Sequence, residues 1–191
     1  MTGPAELLTH PTPAERAARL PGDEVVAPAD VVMDRAFTLD APPDEVWPWL
    51  VQLGRRRAGW YLPALLERLV PRSRRGLRRV DPNHLALAVG DVVPDWGGAA
   101  ATFTVLGLEP HHHLLYGSTR GRTRLTWCLR LAPADGGGTR VHLRLRLAPV
   151  RRRWLVAHLG GPFDQLTVMG LAAGLRERVR GGEASGDAPR A

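Results

Sequence analysis

The chain has 191 residues, 44% of them hydrophobic, which suits one domain with a real core and excludes disorder throughout. A single cysteine, Cys128, excludes an internal disulfide, and the absence of any run near eighteen consecutive apolar residues argues against a membrane span. The formal charge is +7, but all 26 basic residues are arginine in an Ala/Gly/Pro-rich chain, so the charge is a weak sign of a polyanionic partner.

Residues 1–30 carry Pro4, Pro11, Pro13, Pro21 and Pro28 around one helical patch, "PAERAARL", and are expected to form an arm that packs loosely on a body spanning 31–180. The start lacks a basic-then-apolar leader pattern, so the cytoplasm is the expected location. "VVMDRAFTLD" then alternates with period two, setting Met33, Arg35, Phe37 and Leu39 against Val32, Asp34, Ala36 and Thr38. "APPDEVWPWLVQLG" reads as a short helix from Pro43 to Leu53, bent at Pro48 and ended by Gly54. Its apolar residues cover nearly the whole circumference, so it must be wedged between the sheet and something else. A second helix is expected over Tyr61 to Val70.

Weaker strands fit "GDVVP", "ATFTVLGLE" and "HLLYGS", with "EPHH" as the turn between the last two. "TRLTWCLRLAP" turns Leu125, Trp127, Leu129 and Leu131 inward, and "TRVHLRLRLAP" does the same with Val141, Leu143, Leu145 and Leu147. The opposite residues, Arg140, His142, Arg144 and Arg146 among them, predict a wet, basic outer face, with Cys128 on it. "ADGGG" closes the hairpin between these strands. A long helix from Pro162 to about Arg180 closes the domain, and 181–191 is expected to be a disordered tail. The sum is an α+β chain with an antiparallel sheet of six or seven strands.

The order of elements, with "LPGDEVV", "FTLDAPPDEVWPWLVQLGRRRAGWY", "LAVGDVVP", "VLGLEP" and "TWCLRLAPADGGGTRVHLRLR", resembles the START-like or SRPBCC superfamily over roughly residues 19–180. These are the helix-grip proteins that include polyketide cyclase/dehydrase-like proteins and the birch pollen allergen. The resemblance implies a sheet curved around the last helix, with a cavity for a lipid, polyketide, steroid-like or aromatic molecule between them. Members of the superfamily range from carriers to cyclases and hydrolases with no common catalytic set, so the resemblance leaves enzyme status open and admits a cyclase-like activity.

Within that implied cavity the candidate ligand-binding residues are Arg35, Phe37, Trp47, Tyr61, Trp96 and Phe103, followed by Tyr116, Trp127, Leu143, Leu166 and Gly170. Arg35 shares the inward face with apolar residues, so it needs either a carboxylate near the rim or an anionic or carbonyl group on the ligand. The last helix shows two stripes, a bulky one of Val168, Leu171, Ala172, Leu175 and Val179, and one with missing volume at Phe163, Leu166, Gly170 and Ala173. The second stripe is expected to leave room for a guest.

No cofactor motif and no Ser-nucleophile motif appears. His111 to His113 read as a solvated turn, because adjacent residues point apart and metal sites need convergent ligands. Cys128 and His142 are expected opposite each other across the hairpin, too few ligands for a metal site. Asp95 reads as a turn residue.

A competing reading uses the arginine runs at 55–57, 72–79 and 151–153 and the outer row of the last strand as a surface for RNA or anionic lipid. Aromatic residues are not interleaved with those runs and no nucleic-acid motif accompanies them, so nucleic acid ranks below a small apolar ligand as the partner. The patterning sets no oligomeric state.

Overall fold

The computed structural model describes residues 9–96, 100–150 and 161–186, the side chains of 182–186 excepted. The run at 151–153, Gly160, the first eight residues of the arm and the last five of the tail lie outside the described residues. Six strands form one antiparallel sheet: β1 (Val31–Leu39), β2 (Val92–Pro94), β3 (Thr102–Glu109), β4 (His113–Arg120), β5 (Thr123–Pro133) and β6 (Thr139–Ala148), in the order β1-β6-β5-β4-β3-β2. Strands β2 to β6 are therefore a meander, and β1 returns to pair with β6, Phe37 opposite Val141. Between Val105 and Gly107 the register of β3 against β4 slips by one residue, a bulge that bends the strand.

Among the described residues four α-helices accompany the sheet: α1 (Pro13–Ala17), α2 (Pro43–Gln52), α3 (Ala64–Glu67) and α4 (Gly161–Gly186). A curved antiparallel sheet gripping a long C-terminal helix is the helix-grip architecture that the family resemblance implies. The bulky stripe of α4 is fully engaged: Val168, Leu171, Ala172, Leu175 and Val179 are all buried, in one core with Phe37, Leu39, Leu129, Leu131, Val141 and Leu143. The α2 helix continues past Pro48 to Gln52, with Val46, Trp47, Trp49, Leu50 and Val51 all buried, so it is wedged on every side.

Several expectations change. The second helix is a single turn, because Pro63 holds the residue before it extended and Pro71 closes the segment. The last helix runs past Arg180 into the expected tail, since extending a helix already formed costs little.

The outer face of β6 is not wet. Arg144 is buried and donates to the carboxylates of Asp34 and Asp23 and to the carbonyls of Glu15, Arg16 and Ala18. Arg140 grips the Glu15 carboxylate at 2.8 and 3.0 Å, and Arg146 reaches the Val26 carbonyl at 3.1 Å. The arm thus docks by saturating guanidinium donors. Glu15 also completes a capping box with Thr12, and the Arg140 hydrogen bond holds its carboxyl down at about 2. Burial works against ionised Asp34, but hydrogen bonds from His142 and Arg144 outweigh it and keep that carboxyl below its usual range. Cys128 is likewise covered, packed with Leu20 and Leu115 beneath the arm, where burial pushes its thiol up to about 12. Its partner across the hairpin is Arg144 and not His142, which faces Arg130.

Candidate functional site

Two features at the β2 end of the sheet build the site: an aromatic chamber and a basic cleft that meet at Trp96. The chamber sits between the end of α2 and strands β2 to β5. Its walls are Trp60, Trp96, Phe103, Tyr116 and Trp127, with Leu53 and Val93 beneath. Alternation on β3, β4 and β5 delivers Phe103, Tyr116 and Trp127 to one face, with Tyr116 directly opposite Trp127 in the ladder. Trp127 stacks between Tyr116 at 6.0 Å and Trp60 at 6.3 Å, and Trp96 meets Trp60 edge-on at 5.6 Å. The rings leave a gap of about 30 Å³, the size of one water.

Polar atoms in this wall are not satisfied. The Tyr116 hydroxyl and the Trp60 Nε1 are both buried without a hydrogen-bond partner among the described residues. Burial pushes the Tyr116 phenol well above its ordinary range, so it is a neutral donor at any physiological pH. A buried donor left unmade costs about 1–3 kcal/mol, which a ligand oxygen in the chamber would recover. At the rim Arg120 pairs with Asp95 and lies 5.3 Å over the Phe103 ring.

The cleft begins where α2 ends. Gly54 and Gly59 exchange backbone hydrogen bonds at 3.4 and 2.9 Å, closing a turn that carries Arg55, Arg56 and Arg57. A Cβ on Gly59 would sit 3.0 Å from the Gly76 Cα, and Leu77 N–H donates to the Ala58 carbonyl at 2.7 Å. That close approach, open only to glycine, lays the 72–79 segment beside the turn. The resulting cleft encloses about 560 Å³ and is lined by Arg55, Arg56, Arg57, Gly59, Ser73, Arg74, Arg75 and Trp96.

Of the sequence candidates, Trp96, Phe103, Tyr116 and Trp127 come together in the chamber. The others do not line it. Arg35 lies at the start of α4, where its Nε is 3.0 Å from the Asp164 carboxylate, off the hydrogen-bond line, while its other nitrogens donate to the Gly161 and Asp34 carbonyls. Burial raises the Asp164 carboxyl, with Arg35 opposing. Phe37 and Leu143 are core, and Trp47 is core beside His111. Tyr61 is core too, its hydroxyl donating to the Trp49 carbonyl at 2.9 Å.

The α4 stripe with missing volume faces away from the chamber: Leu166 is 68% exposed, and a Cβ on Gly170 would meet only Leu62. The tight glycine is Gly174, whose Cβ would lie 2.6 Å from the Tyr61 backbone. Sequence reasoning missed Trp60, which has no periodic neighbours, and Arg178, fully buried against Glu67 at 2.5 Å and 4.6 Å over the Tyr61 ring. Burial pulls the Arg178 guanidinium down while Glu67 holds it charged. Among the described residues, no three metal-ligating side chains converge and no helix is long and apolar enough to cross a membrane.

No curated protein matches the chain. Among solved structures, it resembles CalU16 from Micromonospora echinospora at 19% identity over 82% of this chain and 89% of that one, TM-score 0.44. DynU16, from the dynemicin biosynthetic locus, matches at 19% identity over 81% of this chain and 49% of that one, TM-score 0.51, and protein Ms6760 from Mycobacterium smegmatis at 17% over 82% and 93%, TM-score 0.47. The likeness to DynU16, at this identity, is one of fold. The family model for polyketide cyclase/dehydrase and lipid transport proteins matches residues 30–182, and with most of its length covered the chain belongs to that family.

Proposed function

We propose that the chain binds a small apolar molecule bearing an aromatic or polyene body and a carbonyl or hydroxyl oxygen, in the chamber walled by Trp60, Trp96, Phe103, Tyr116 and Trp127. The observation that carries this reading is the pair of unpartnered buried donors, the Tyr116 hydroxyl and Trp60 Nε1, set in an otherwise apolar wall. Buried donors are normally paired, and these two stand in one wall. A guest of this kind needs more room than the gap of about 30 Å³, and Trp96, 47% exposed, is the most exposed of the five rings. Family membership and the fold support a ligand-binding role of this type.

The test is a calorimetric titration with neutral naphthyl ketones and matched hydrocarbons. One saturable site is expected, with the ketone favoured. Tyr116→Phe should weaken the ketone about 3- to 10-fold, the worth of one hydrogen bond, and leave the hydrocarbon unchanged. Absence of binding across the panel would sink the reading.

A further inference from the structure

We infer that the ligand is an anionic amphiphile, its apolar body in the aromatic chamber and a carboxylate or phosphate head in the arginine cleft. The inference rests on the chamber reading above and adds the head group. Five of the eight residues lining the cleft are arginines and none is acidic. Arg57 donates to the carbonyls of Val51 and His84, and Arg75 to those of Val70 and Arg68, so neither contact neutralises charge. The guanidiniums of Arg56 and Arg74 have no partner among the described residues, and the Arg57 Nε is buried without one. Arg55 donates to the Asp95 carbonyl at 3.2 Å, and the remaining guanidiniums, held together by the glycine contact, raise a local positive potential that an oxyanion would offset. Guanidinium forks match carboxylate and phosphate oxygens in pairs, which makes an oxyanion the fitting counterion. Trp96 lines both the cleft and the chamber, so the two adjoin.

The experiment compares 2-naphthylacetate, its methyl ester and 2-naphthyl phosphate by calorimetry, on the full chain and on an Arg56→Gln, Arg74→Gln double variant. Both substituted side chains are exposed, so the fold should survive. The acid and the phosphate are expected to bind about tenfold tighter than the ester at about 50 mM salt, with the advantage shrinking as salt rises. In the double variant they should fall to the ester's affinity, while the ester binds as before. Equal binding of acid and ester to the unaltered chain overturns the inference, as does an advantage that survives the double substitution. If neither acid, phosphate nor ester binds, the chamber reading itself fails, a result distinct from loss of the charge preference alone.

Sedimentation with phosphatidylglycerol and phosphatidylcholine vesicles separates the two sources of the anion. Arginine-dependent pelleting with the anionic vesicles, alongside the acid-over-ester preference, assigns the head to a membrane lipid. The same preference without pelleting assigns it to a free molecule. Arginine-dependent binding of RNA at physiological salt, with acid and ester bound alike, overturns the inference in favour of a polyanion surface.

Discussion

Two arginine clusters among the described residues, one on the outer face of β6 and one in the cleft beside Trp96, are solved differently. On β6, Arg140, Arg144 and Arg146 meet Glu15, Asp23 and Asp34 and the carbonyls of the arm, so the chain supplies its own counter-charge and the arginines become glue. In the cleft, Arg56 and Arg74 meet nothing of the kind. Two groups of arginines in the sequence thus have opposite meanings. What separates them is whether acceptors from elsewhere in the chain arrive at the same place.

The sharpest way to break this comparison is to strip a counter-charge from the saturated cluster. Asp34→Ala leaves Arg144 and His142 buried with one acceptor fewer, and the expected loss is about 3 kcal/mol, seen as a Tm lower by about 6–12 °C. A Tm within a degree of the parent would mean that the cluster is solvated after all. A gentler probe is pH. Because the Arg140 hydrogen bond holds Glu15 at about 2, well below its ordinary 4.5, the arm's anchor is complete above about 4.5 and is lost as pH falls through about 2. Hydrogen exchange should therefore lose protection in residues 9–26 over that window before β5 loses it; simultaneous loss would show that the arm is not a separate unit. The smallest effect belongs to the cleft: the Arg56→Gln, Arg74→Gln variant should change stability by less than about 0.5 kcal/mol in denaturant unfolding. A larger loss would place these arginines among the glue.

The sheet and its gripping helix were legible because their information is local. Leu143 and Arg144 alternate within one strand, and Val168, Leu171 and Leu175 recur within one helix. The covered outer face was not legible, since the acceptors of Arg144 lie in a proline-rich segment more than a hundred residues away with no periodicity of its own. Four of the five chamber rings, Trp96, Phe103, Tyr116 and Trp127, were candidates in the sequence, whereas Trp60 arrives from a loop whose path depends on the Gly59 to Gly76 contact. The α4 helix shows the limit of composition: Gly170 and Gly174 look alike in the sequence, yet only Gly174 presses on backbone. Missing volume on a helix marks either a guest or a close neighbour, and periodicity does not tell which.

The strand order also constrains how the molecule is assembled. Strands β2 to β6 are each adjacent to the one before, but β1 precedes them in the chain and, among the described strands, pairs with β6, about a hundred residues later. Until then its inward side chains, Met33, Phe37 and Leu39, have no ladder to join, and closing so long a loop slows the step that completes the sheet. The β1–β6 seam is accordingly the late event of folding, and the nascent chain spends its most aggregation-prone interval waiting for its last strand.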